Sequence, residues 1–130
     1  MKEKNFISSA LNVIEIESKA VMSLRNQIHS DFDNLCTNIL NIEGKLILMG
    51  IGKSGHIAQK ISATLSSTGT SSFFIHPTEA AHGDLGMISK QDAILILSNS
   101  GETKEIIEIL PALKRSTSNI FTLTNDKQST

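Results

Sequence analysis

The 130-residue sequence has no tryptophan, no tyrosine, a single cysteine and two prolines. Without Trp or Tyr there is no ring platform for stacking bases and no antibody-like contact surface. Cys36 has no second thiol to pair with, so an internal disulfide is excluded and the expected location is cytoplasmic. Neither sign of charge is in excess: 12 Lys and Arg face 13 Asp and Glu, for a net charge of −1. Binding a phosphate backbone needs a basic surplus, so nucleic acid is not an expected partner. No apolar run approaches the roughly 18 residues of a membrane span, and Ser8, Ser9, Asn12 and Glu15 break any signal-peptide core. A membrane is not an expected partner either. What is present, 39% hydrophobic and 19% charged residues, is the composition of one soluble globular domain with a single core.

The hydrophobic pattern changes period near residue 44. Before it, Ile7, Ile14, Val21 and Ile28 recur at seven with Leu11 and Leu24 beside them, which predicts a helix over residues 1–28. The stripe suits packing on another helix, including one from a second subunit; covering its own domain is the alternative. Phe32, Leu35, Cys36, Ile39 and Leu40 predict a second helix, capped by Ser30 or Asp31. Residues 1–44 are thus expected to form a helical segment packing on a domain at 45–130. Lys45–Met49, Ser71–Ile75, Ala93–Leu97 and Asn119–Thr124 then read as strands. Helical spacing over Ile57, Ala58, Ile61 and Leu65, and over Ile106, Ile107, Leu110 and Leu113, supplies the crossovers. Gly69 is placed to stop the first, Pro111 to kink the second, and Thr78–His82 to make one helical turn. Met87 and the Phe73–Phe74 pair read as core. Strand and helix in alternation mean an α/β fold with a parallel sheet and helices on both faces, its ligands at the carboxyl ends of the strands.

Two polar turns fall at such ends. Gly50-Ile-Gly-Lys-Ser-Gly55 matches the dinucleotide spacing, but the end of the next strand, Phe74–Pro77, lacks the carboxylate that a ribose needs. A P-loop reading fails because Ile47 stands where a glycine is required. The second turn, Ser98-Asn-Ser-Gly-Glu-Thr103, brings three hydroxyls to the start of a helix, whose free amides and dipole favour an anion. A phosphate cradle accounts for all three hydroxyls; helix capping by Ser100 accounts for one. Glu102 and Glu105 are ordinary dipole partners in a first turn, but a carboxylate beside a phosphate is repelled, so Glu105 needs another task or another direction. Lys53, a lysine in a glycine loop, reads by itself as a solvated charge. His76 and His82, with Glu79 or Asp84, are weak candidates for a metal because no tight ligand spacing joins them.

Met49-Gly-Ile-Gly-Lys-Ser-Gly-His56, Phe73-Phe-Ile-His-Pro77, Glu79-Ala-Ala-His-Gly-Asp-Leu-Gly-Met87 and Ser98–Thr103 together resemble the sugar isomerase (SIS) domain. Within that family the chain is similar to the bacterial D-arabinose-5-phosphate isomerases. The resemblance implies a three-layer α-β-α sandwich on a parallel sheet. It implies an aldose–ketose isomerase that interconverts D-ribulose 5-phosphate and D-arabinose 5-phosphate, supplying the octulosonate sugar of lipopolysaccharide or capsule. A non-catalytic phosphosugar-binding module is the alternative. By the same resemblance Lys53 and Glu105 are catalytic, and Gly69, Thr70, His76, His82, Ser98, Ser100 and Thr103 line the substrate. No cofactor is implied, and His82 marks a position where a divalent metal interferes. A homo-oligomer is the expected assembly. Family members continue through a fifth strand, closing helices and further active-site residues, so the fold is expected to be incomplete on its carboxyl-terminal side.

Overall fold

Strands apolar at every position must be covered on both faces. In the computed structural model of the protein, which describes residues 5–130, they form one four-stranded sheet. Its strands are β1 (Leu46–Gly50), β2 (Ser72–Phe74), β3 (Ala93–Leu97) and β4 (Asn119–Leu123), all parallel, in the order β2-β1-β3-β4. β1 and β3 are central, buried at all five positions, and in register from Leu46 opposite Ala93 to Gly50 opposite Leu97. Among the described residues the α-helices are, in chain order, α1 (Phe6–Ser23), α2 (Ser30–Asn41), α3 (Gly52–Ser67), α4 (Pro77–Ala81) and α5 (Lys104–Ser116).

Alternation along β1 and β3 divides the core in two. Ile47, Met49, Ile94 and Ile96 meet Ala80 of α4 and Ile106, Ile109 and Leu113 of α5 on one face. Leu46, Leu48, Leu95 and Leu97 meet Ala58, Ile61 and Leu65 of α3, and Leu35, Ile39 and Ile42 around α2, on the other. The result is the expected three-layer sandwich. The chain divides into two compact units between Asn34 and Leu35. In the unit before that division, α1 opens on Asn5, whose Oδ1 accepts from the Ser8 amide at 3.0 Å. The predicted helix over residues 1–28 is seen as α1 plus one 3₁₀ turn at Leu24–Asn26; its first four residues lie outside the described ones.

Local chemistry sets the ends of the elements. After α3, the Thr70 amide bonds the Leu65 carbonyl at 2.9 Å and the Gly69 amide the Ser66 carbonyl at 3.5 Å. This is a Schellman stop, and Gly69 takes the positive φ (+101°) that it requires. α5 runs through Pro111, an exposed position, to Ser116. The second strand is shorter than expected, although the Ser71 carbonyl and the Ile75 amide still bond Leu46 and Leu48 at 2.9 and 3.0 Å. Met87 is not core. It is 58% exposed on a 3₁₀ turn after Gly83, and Ile88 takes the buried place beside it.

Asp92, 4% exposed, ties the amino-terminal edge of the sheet together. Its Oδ1 accepts from the Lys45 amide at 2.8 Å, and its Oδ2 from the Ser89 amide and hydroxyl at 2.7 and 2.9 Å. Burial pushes its pKa up, but the Ser89 and Lys45 amides, the Ser89 hydroxyl and the Lys45 charge together hold it below the usual carboxylate range.

Candidate active site

β1 and β3 are neighbours whose following helices leave on opposite faces of the sheet, α3 on one and α5 on the other. Their loops therefore part at the carboxyl edge, where open α/β sheets hold ligands. A cleft of about 360 Å³ opens there. Lys53, Ser54 and Ile57 of α3 form one wall; Leu97 at the end of β3 with Ser98 and Asn99 after it, and Leu123 at the end of β4 with Thr124 and Asn125 after it, form the rest.

The glycine turn after β1 brings Lys53 to this wall by close packing. Gly55 is buried, and a Cβ there would stand 2.7 Å from the Gly50 carbonyl oxygen. Glycine thus lets the first turn of α3 sit against the end of β1. Ile51, the residue before α3, is extended and makes no side-chain cap bond, so no side chain satisfies the first amides of the helix.

The second turn is held by its own hydroxyls. Ser98 Oγ accepts from the Gly101 amide at 3.1 Å and lies 2.8 Å from Thr103 Oγ1. Ser100 Oγ accepts from the Glu102 amide at 3.1 Å. Ser100 therefore does not cap α5, and neither does Thr103, the residue at the cap position. The helix opens on amides without a side-chain acceptor, and the exposed Ser100 hydroxyl still has a proton to donate. This is the donor set of an anion site. Glu102 points elsewhere: its Oε1 accepts from the Thr130 amide at 2.7 Å and the Thr130 hydroxyl at 3.0 Å. That contact draws the end of the described chain across Gly101, where φ is +70° and a Cβ would fall on Ser129.

The remaining expected site residues are placed as follows. Glu105 is exposed in the first turn of α5, outside the cleft lining. His76, half-buried, precedes α4; its Nδ1 accepts from the Thr78 amide at 3.3 Å, and its ring meets Phe74 edge-on at 6.3 Å. His82 is exposed at the other end of α4. Gly69 and Thr70 precede β2, at the amino-terminal edge of the sheet, and do not join the cleft within one chain. Among the described residues no three His, Cys, Asp or Glu side chains gather as metal ligands, and His82 has no such companions. Sequence reasoning missed Asn99, Thr124 and Asn125. Their signal was position alone: each follows directly on the carboxyl end of a strand or one residue beyond it.

The SIS domain family model matches residues 39–130. The chain belongs to the SIS domain family. Arabinose 5-phosphate isomerase KdsD of Pseudomonas aeruginosa is 49% identical over 125 residues, covering 96% of this chain and 38% of that protein. The E. coli CFT073 protein c3406, solved in complex with arabinose 5-phosphate, is 42% identical with a TM-score of 0.91, covering 100% of this chain and 69% of that one. A putative phosphosugar isomerase involved in capsule formation from Bacteroides fragilis is 33% identical with a TM-score of 0.86, covering 96% of this chain and 67% of that one. The chain thus spans little more than a third of the length of the curated SIS-domain relative. The matched segment takes in both polar turns and the whole cleft.

Proposed function

We propose that this SIS domain is the sugar-phosphate site of an aldose–ketose isomerase that interconverts D-arabinose 5-phosphate and D-ribulose 5-phosphate. The observation that carries the reading is the meeting of Lys53 with Ser98 and Asn99, the start of the Ser98–Thr103 turn, in one cleft at the switch in strand order. The substrate phosphate is held by the Ser98 and Ser100 hydroxyls and the first amides of α5. Lys53, a cation on the opposite wall, stabilises the oxyanion that develops at the carbonyl end. The reaction moves the aldose C2 proton to C1 through an enediolate, while the O2 proton passes to O1. A carboxylate suits the carbon-to-carbon transfer, and Glu105 takes that role or positions Lys53. His76 and His82 line the sugar chain and no cofactor takes part; Gly69 and Thr70, at the opposite edge of the sheet, stay outside this site within one chain. The product supplies an octulosonate precursor of lipopolysaccharide or capsule, in the cytoplasm, from a homo-oligomeric enzyme. Among the described residues no helix is long and apolar enough to cross a membrane.

One observation favours a second reading. The cleft lining contains a lysine, hydroxyls and amides but no carboxylate. That composition suits a module that binds a phosphosugar without turning it over. The two readings part in one assay of residues 1–130 with arabinose 5-phosphate and ribulose 5-phosphate. The isomerase reading predicts turnover that falls roughly 10²–10⁴-fold in Glu105→Gln, with binding retained. A folded chain that binds either sugar phosphate without converting it is the binding module.

A further inference from the structure

Glu102 belongs to two segments at once. Its amide donates to Ser100 Oγ at 3.1 Å, so its main chain is part of the hydroxyl turn. Its carboxylate belongs to the stretch after β4: Oε1 accepts from the Thr130 amide at 2.7 Å, and its two oxygens lie 3.0 and 3.1 Å from the Thr130 hydroxyl. That stretch is fastened at its other end as well. The Asn125 amide donates to the Asn99 carbonyl at 3.1 Å, and the Thr124 hydroxyl reaches the same oxygen at 3.5 Å. Between the two ties the chain folds on itself. Thr124 Oγ1 accepts from the Asp126 amide at 3.2 Å, Asp126 Oδ1 from the Gln128 amide at 2.9 Å, and the Asp126 carbonyl from the Ser129 hydroxyl at 2.8 Å.

Residues 99–102 and 125–130 therefore close a ring, with Gly101 packed inside it. A Cβ on Gly101 would overlap Ser129. The Gly101 amide, at a φ of +70°, donates to Ser98 Oγ at 3.1 Å, and that hydroxyl lies 2.8 Å from Thr103 Oγ1. Whatever holds Gly101 thus also holds the hydroxyls that face an anion. We infer that Glu102 is a positioning residue: it latches the stretch after β4 onto the hydroxyl turn and so keeps Ser98 and Ser100 in the arrangement that takes a phosphate. The inference rests on the reading of this turn as the phosphate site. What acts is the acceptor oxygen and not the charge. Two anions repel, so the charge alone weakens phosphate binding. A carboxylate oxygen that accepts from a backbone amide makes a strong tie. Among the described residues no lysine or arginine pairs with Glu102.

The two contributions have opposite signs, so two substitutions separate them. Glutamine keeps an oxygen for the Thr130 amide, offers an N–H to the Thr130 hydroxyl and removes the charge. Alanine removes both. The test measures the affinity of residues 1–130 for inorganic phosphate and for arabinose 5-phosphate by titration calorimetry, in the wild type, Glu102→Gln and Glu102→Ala. Glu102→Ala should weaken both by roughly tenfold, and Glu102→Gln should bind both at least as tightly as the wild type. Glu102 is exposed, so circular dichroism should be unchanged in either variant. Hydrogen exchange of the Gly101 and Asn125 amides reads the latch without any ligand. It should quicken by about tenfold in Glu102→Ala and stay near the wild-type rate in Glu102→Gln. Thr130→Ala should weaken binding in the wild type and add nothing in Glu102→Ala, because the partner it serves is gone. Tighter or unchanged binding in Glu102→Ala, or an equal loss in both variants, overturns the proposal. A wild-type chain that binds neither probe overturns the sugar-phosphate reading, and with it the phosphate-positioning role, even if the exchange rates show the latch itself.

Discussion

Single residues in this protein act by fixing where backbone groups go. Asp92 is the clearest case, because one buried carboxylate holds the amides of Lys45 and Ser89 at the starts of two packed segments. Its pKa is lowered in the fold, so its contribution is complete above the unfolded value of about 3.9 and is lost as pH falls through the lower folded value. Asp92→Asn should cost roughly 2–4 kcal/mol near neutral pH and remove part of the acid limb of the stability curve. Urea melts of both proteins between pH 3 and 7 check this; parallel curves would contradict it. Glu102 shows the same economy. A carboxylate beside an anion site is a liability, and here it is turned onto the amide and hydroxyl of Thr130. The residue list alone showed that carboxylates in this turn are a difficulty, but the direction that relieves it for Glu102 depends on a contact 28 positions away.

At the scale of elements, the strands were legible because burial on both faces leaves unbroken apolar runs, and β3 begins and ends where its run does. Gly69 was legible as a stop because the Schellman turn has a chemical signature. Met87 was not legible as exposed. A lone methionine between Gly86 and Ile88 carries no period, so nothing local says which of the two apolar neighbours faces in. The glycine turn after β1 was legible as a turn but ambiguous as a motif. The structure resolves it as a packing device, with Gly55 set against the Gly50 carbonyl. Gly55→Ala should push the first turn of α3 away from β1, lowering the melting temperature by several degrees and weakening sugar-phosphate binding at least tenfold through displaced Lys53. Thermal melts and a binding isotherm read both effects, and an unchanged affinity would show that Lys53 is not held by this contact.

At the scale of the whole molecule, the candidate site belongs to no single element. The hydroxyl turn could be read locally, since three hydroxyls around one glycine exceed what a cap needs. The facing of Lys53 and Ser98 follows instead from strand order, which puts β1 beside β3 and sends their helices to opposite faces. Asn99, Thr124 and Asn125 enter only through that topology. The same topology leaves Gly69 and Thr70 at the far edge of the sheet. There, Asn38, Asn41, Ile42, Glu43, Lys90, Gln91 and Asn119 line a second cleft of about 330 Å³ with no helix N-terminus and hydroxyl set of this kind.

Backbone amide shifts of isotope-labelled chain, titrated with arabinose 5-phosphate and in parallel with inorganic phosphate, measure which edge of the sheet holds the ligand. The account predicts saturable shifts at Gly52–Ser54 and Ser98–Glu105 with both probes, and further shifts around His76 and His82 with the sugar phosphate alone. Shifts confined to the Asn38–Gln91 cleft, or none on a folded chain, would contradict it.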